Sequence, residues 1–242
     1  MTRFLFSIAA ALLLYCFSMS HTVHAKANSQ DFRILFQSLC GSIPGYLSQV
    51  LGQIPFERAT TSYLKKNGSS VGIYYRKKVY LGDSILPDNR ALFGQMVEVN
   101  TVSHESWHAY YDQLMPRSEY KNLRQYWDRY YGRTGFLGFK NDAECFGDEA
   151  IAMYLGGLSG LYAALASAHS RGQLTPTKMR MYENAYRGKS VRGYCGGKTA
   201  NREISRYEIQ VALRAAGDFF PAPEILVKVL DLRFKPSFFH SL

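Results

Sequence analysis

The sequence predicts an α+β chain that is mostly helical, with one small β-hairpin ahead of the helix that carries its chemistry. Two observations predict it. Val71 to Tyr75 and Val79 to Leu81 are β-branched and aromatic runs on either side of a basic turn, the signature of a hairpin. Beyond them, apolar residues recur at helical spacing almost to the end of the chain, with caps and prolines marking the breaks.

The first segment reads as an export signal rather than as part of the fold. Arg3 supplies a short positive region and Phe4 to Met19 an apolar one. Val23-His24-Ala25 places small residues where a signal peptidase cuts. Sixteen residues fall short of the roughly twenty that a spanning helix needs, and no later segment reads as long and apolar enough to cross a bilayer. Cleavage after Ala25 leaves 26–242 as a single domain, destined for a secreted or periplasmic location. Removing Arg3 lowers the formal charge of +10 by one. The remaining cations (Lys65, Lys66, Arg76, Lys77, Lys78, Arg187, Lys189 and Arg192 among them) are scattered. No zinc-finger, RNA-recognition or helix-turn-helix pattern gives them a sequence-reading role, so nucleic acid is not an expected partner. An anionic cell-envelope surface or an acidic substrate suits the charge better.

Three cysteines follow the signal: Cys40, Cys145 and Cys195. In an oxidising compartment an odd count predicts one disulfide and one free thiol. Cys40 and Cys195 both lie beside glycines in expected loops and are the expected pair, with Cys145 packed in the interior.

The remaining elements follow in order. Gln30 to Leu39 is an amphipathic helix capped by Ser29. Pro44, Gly45, Gly52 and Pro55 then cut the chain into short pieces before the hairpin. The next helix starts between Asp88 and Asn100 and ends by Pro116. Ser118 to Tyr131 is an aromatic-rich helix, Gly132 to Phe139 a glycine-rich loop, and Asp142 caps a helix from Ala143 that Gly156-Gly157 interrupts. Thr175-Pro176 opens another helix, and Arg202 to Ala216 and Pro223 to Leu232 complete the set.

The chemistry lies in His104-Glu105-Ser106-Trp107-His108. Helical positions four apart are offset by about 40°, so His104 and His108 project from one face and reach a single tetrahedral zinc ion. Glu105 flanks that face, placed to take a proton from water. The flanks sharpen the match, with Thr101-Val102 before, uncharged Ser106 and Trp107 inside, and Ala109-Tyr110 after. A catalytic zinc site needs a third protein ligand. The metzincin pattern requires glycine at 111 and histidine at 114, where this chain has Tyr111 and Leu114, so that class is excluded. A later carboxylate remains. Glu144 and Asp148 are four apart and share a helix face, one to bind metal and the other to accept from a ligand histidine. Glu149 is the rival ligand; it lies about 140° around the helix from Glu144, so the two cannot both face the ion. Glu144 is preferred because an acid follows it by four, whereas Met153 follows Glu149.

The pair HESWH and ECFGD resembles the gluzincins, the thermolysin-like clan, and in particular its compact minigluzincin-like catalytic domains. The resemblance covers about residues 95 to 157. It implies a zincin-like core with one Zn2+ held by His104, His108 and Glu144, Glu105 as general base and Asp148 orienting His104. It also implies a tyrosine or histidine that stabilises the oxyanion, for which Tyr130 and Tyr131 are the candidates. The implied activity is zinc-dependent hydrolysis of a protein or peptide substrate, which the hairpin would align by strand addition. A zinc amidase acting on cell-wall peptide crosslinks and a non-catalytic zinc-containing envelope binding protein are the rival readings.

Overall fold

The structure, a computed structural model, describes residues 28–69, 71–82, 92–134, 143–170, 190–195 and 198–219. The segment expected to be an export signal (1–25), the helix expected at Thr175-Pro176 and the segment Pro223 to Leu232 lie outside the described residues, as does most of the glycine-rich loop.

Helices dominate, with a small three-stranded sheet and a separate two-stranded one. Helix α1 spans Ser29–Cys40, and its cap is Asn28 rather than Ser29, because the Asn28 side chain accepts from the Gln30 amide at 3.0 Å. It stops at Gly41, whose φ of 72° is the left-handed conformation that glycine adopts without penalty. Helix α2 (Gly45–Gln53), strand β1 (Phe56–Ala59) and helix α3 (Thr61–Lys66) follow. The expected hairpin forms as β2 (Gly72–Tyr75) and β3 (Lys78–Gly82). The sequence reading missed β1, which pairs parallel with β3 to give the order β1-β3-β2 and leaves β2 at an edge.

Helix α4 spans Leu92–Ala109 and passes into a π-helical turn, Tyr110–Leu114, before Pro116. Helix α5 (Arg117–Thr134) is the expected aromatic helix, extended through Gly132. Helix α6 runs unbroken from Ala143 to Ser170, so Gly156 and Gly157 do not interrupt it. Its Ala143–Ala166 stretch is long and apolar enough to cross a membrane, where the sequence reading expected no such segment. Here 61% of that stretch's most apolar window is buried, and it packs chiefly against α4.

The C-terminal region departs from the all-helical expectation. Strands β4 (Ser190–Cys195) and β5 (Lys198–Glu203) form an antiparallel hairpin. The last helix, α7, therefore starts at Arg206 rather than Arg202, where Ser205 and Glu208 form a capping box. Glu208, fully buried, also accepts from the Trp127 indole at 2.8 Å and ties α7 to α5.

The disulfide is a further correction. Cys145 at the start of α6 is bonded to Cys195 at the end of β4, and Cys40 is the free, buried thiol. Cys40 sits at the last turn of α1 inside the core, where its side chain packs with apolar neighbours. Cys145 is the exposed member of the bonded pair, so the apolar sequence around it was a poor guide to its own burial.

Candidate metal centre

The π-helical turn after α4 keeps the histidine-bearing segment helical through His108 and then widens it, a distortion common at functional positions. His104 and His108 lie one above the other, ring centroids 4.8 Å apart, with their Nε2 atoms separated by 3.1 Å. The carboxylate facing them belongs to Glu149. Its two oxygens lie 3.6 Å from His104 Nε2 and 3.2 Å from His108 Nε2. A tetrahedral ion with bonds of about 2.0–2.2 Å holds its donors about 3.3–3.6 Å apart. The separations of 3.1, 3.2 and 3.6 Å lie at or a little under that spacing, so the Glu149 carboxylate stands within reach of an ion held by the two histidines.

Glu144, the preferred ligand from sequence, is engaged elsewhere. Its Oε1 accepts from the Tyr111 and Tyr120 hydroxyls, both at 2.9 Å, and its Oε2 pairs with Arg124 Nε at 3.0 Å. Asp148 is beside the pair as expected but serves the other histidine. Its Oδ2 lies 2.7 Å from Nδ1 of His108, not of His104. His104 instead hydrogen-bonds the Ala152 backbone. Both rings thus have a partner that fixes their orientation, as ligand histidines almost always do.

The reason lies in how α6 meets α4. Glu149, Ala152, Gly156 and Ser159 fall within about 80° of one another around α6, and three of them are small. Gly156 is the contact point, where an added Cβ would sit 2.9 Å from the Asn100 carbonyl and 3.1 Å from the His104 Cβ. Ser159 Oγ lies 2.8 Å from Ser103 Oγ, and the Tyr46 hydroxyl donates to the Ser103 carbonyl at 3.1 Å, locking α2, α4 and α6 together without solvent. Opposite the histidines, Trp107 is fully buried with its ring edge-on to Tyr46. That small-residue stripe was the sequence signal that points Glu149, and not Glu144, at α4.

Glu105 is 7% exposed, and its Oε2 accepts from the Tyr74 amide on β2 at 2.7 Å. Its Oε1 has no protein partner among the described residues. Gly72 makes the approach of β2 possible, because a Cβ there would lie 2.6 Å from Thr101 Cγ2. The same contacts use up most of the strand edge. Tyr74's amide goes to Glu105, and Gly72's carbonyl accepts from the Ser69 hydroxyl. The Tyr74 carbonyl is the outward group left for an added peptide, fewer than the strand-addition expectation requires. Together β2, the 67–69 turn, α4 and the start of α6 enclose a cleft of about 810 Å³ that contains His104, Glu105, His108 and Glu149.

Burial holds the His104 ring below the usual histidine range. Burial acts the same way on His108, but the Asp148 carboxylate and then Glu149 outweigh it and raise that ring well above the range. Burial pushes the Glu149 carboxyl up, yet its bond to His108 and the two imidazoles bring it below its ordinary value. Of the oxyanion candidates, Tyr130 is 46% exposed and stacked on Tyr126, away from the cleft lining, and the Tyr131 side chain lies outside the described residues. Among the described residues, the tyrosines that line the cleft are Tyr74 and Tyr111.

No family model, curated protein or solved structure matches the chain. His104, Glu105 and His108 bring their ligand atoms within 4.8 Å of one another, a group able to hold a metal ion.

Proposed function

We propose that this is an exported zinc-dependent metallopeptidase in which His104, His108 and Glu149 hold the ion and Glu105 is the general base. The observation that carries the reading is that the two Nε2 atoms stand 3.1 Å apart and face the Glu149 carboxylate, one oxygen 3.6 Å from His104 and the other 3.2 Å from His108. Two imidazoles and one carboxylate are the donor set of catalytic zinc sites that keep a fourth position open. Zinc bound there would act as a Lewis acid and lower the pKa of water.

The chain's own residues supply the rest. Glu105 is anchored through Oε2 by the Tyr74 amide, which leaves Oε1 to take a proton from the attacking water and pass it to the leaving amine. Asp148 holds His108 in the tautomer that points Nε2 at Glu149 and His104. The Tyr74 carbonyl offers a peptide N–H one acceptor beside the scissile bond. A purely structural metal site would have no use for Glu105. The Cys145–Cys195 disulfide suits an oxidising compartment, which supports export.

The test pairs metal content with turnover of denatured casein. Wild type should hold one zinc and cleave casein, and Glu105→Gln should keep zinc and lose turnover by about 10²-fold or more. Full activity in Glu105→Gln would overturn the mechanism. Cleavage of purified peptidoglycan with casein untouched would move the substrate to cell-wall crosslinks.

A further inference from the structure

A second cleft, of about 600 Å³, shares Tyr111 and Asp112 with the metal cleft, so a substrate chain lying across the metal centre can reach both. Its far wall is one face of α5. Arg117, Lys121, Arg124 and Asp128 recur there at helical spacing, all within about 60° around the axis. Tyr111 lines both clefts, and its ring centroid lies 4.9 Å from that of Tyr120 in the second.

The charges along this stripe are not equally available. Arg124 is already paired with Glu144 and lies over the Tyr120 ring. Asp112, at the border of the two clefts, accepts from the Tyr74 hydroxyl at 2.5 Å, which orients its carboxylate toward β2 and leaves it charged. Asp128 stands about 16 Å along the helix from Arg117 and about 10 Å from Lys121, beyond the roughly 8 Å over which exposed charges interact at physiological salt. Arg117 and Lys121 are exposed and have no side-chain partner among the described residues. Arg117 and Lys121 are therefore the two cations of this cleft that no ion pair among the described residues holds, on a chain whose formal net charge is +10.

We propose that this second cleft is a substrate subsite that selects a carboxylate a few residues from the scissile bond, with Arg117 and Lys121 as its specificity determinants. The carboxylate belongs either to an acidic side chain or to the substrate's C-terminus. The inference rests on the peptidase reading above and names its preferred substrate class.

The test uses zinc-loaded protein and quenched-fluorescent peptides that differ by Glu against Gln at each position flanking the bond, and by free acid against amide at the C-terminus. The same pairs are titrated against zinc-loaded Glu105→Gln protein by fluorescence anisotropy, which reads binding without turnover. One position should favour the carboxylate by about three- to tenfold, chiefly through KM, as expected for exposed pairs. The Arg117→Glu/Lys121→Glu double variant should bring that ratio to one or below. A C-terminal preference with none at side chains would assign the site to chain ends. Turnover of the neutral peptides with no carboxylate preference at any position, or a preference unchanged in the double variant, would overturn the subsite alone. Failure to cleave any peptide would instead remove the peptidase reading beneath it.

Discussion

Gly156 on α6 lies directly against His104 on α4, so close that a Cβ on the glycine would fall 3.1 Å from the His104 Cβ and 2.9 Å from the Asn100 carbonyl. Alanine is the better helix former by about 0.5–1 kcal/mol, but here it must push backbone away from backbone. Gly156→Ala should destabilise the protein by about 1–3 kcal/mol and weaken metal binding as His104 shifts. Gly157, with nothing within 4 Å of its added Cβ, is the control. Gly157→Ala should be neutral or stabilising by up to about 1 kcal/mol. Urea unfolding and zinc titration of the two variants check both; equal effects would show that the helix crossing is not this tight.

The acids of α6 should separate by role. Glu149→Gln removes a direct donor and should lower zinc affinity by more than about 10²-fold, whereas Asp148→Asn, which acts through His108, should lower it about 10- to 100-fold. Glu144→Gln should leave affinity within about threefold, since its partners are Tyr111, Tyr120 and Arg124. Competition with a chromophoric chelator measures all three. A large loss in Glu144→Gln with none in Glu149→Gln would return the ligand role to Glu144.

Glu98, 3% exposed on α4, has its carboxyl pushed up to about 7, first by burial and only partly offset by Arg58. Between the ordinary carboxyl value and 7 the folded chain holds a proton that the unfolded chain has released. Stability from this group is therefore present at low pH and lost as pH rises toward 7. Glu98→Gln should remove about 1–3 kcal/mol of the difference between pH 5 and pH 7.5. Urea midpoints of wild type and variant at the two pH values read it, and parallel profiles would refute the assignment.

The disulfide closes a loop with a sequence separation of 50. Chain-entropy arguments put its contribution at about 4 kcal/mol. Cys145→Ser/Cys195→Ser should lower the thermal midpoint to about that extent, and Cys40→Ser should not imitate it. In native protein processed after Ala25, a thiol reagent should find almost nothing, because Cys40 is buried with its thiol pushed up to about 12. In denaturant it should find one thiol. A freely reactive thiol in native protein would mean that the bond is not the one between Cys145 and Cys195.

The sequence by itself determined what depends on one element's own geometry. The four-residue spacing of His104 and His108 put them on one helix face, whatever that helix packed against. The β-branched runs around Arg76-Lys77 made a hairpin, and Pro116 ended the helix. Only the tertiary structure decided what depends on how α6 is rotated about its axis against α4. Glu144 and Glu149 sit on different faces of one helix, and the i+4 acid pattern favoured the face that turns away from the histidines. The small-residue stripe through Ala152, Gly156 and Ser159 sets the rotation, because helices approach closest where side chains are smallest. That rotation gives Glu149 to the histidines, Asp148 to His108, and Glu144 to the tyrosines of α5 and the π-helical turn. It also leaves Cys145 facing β4, so that Cys195 reaches it while Cys40 stays enclosed in the core.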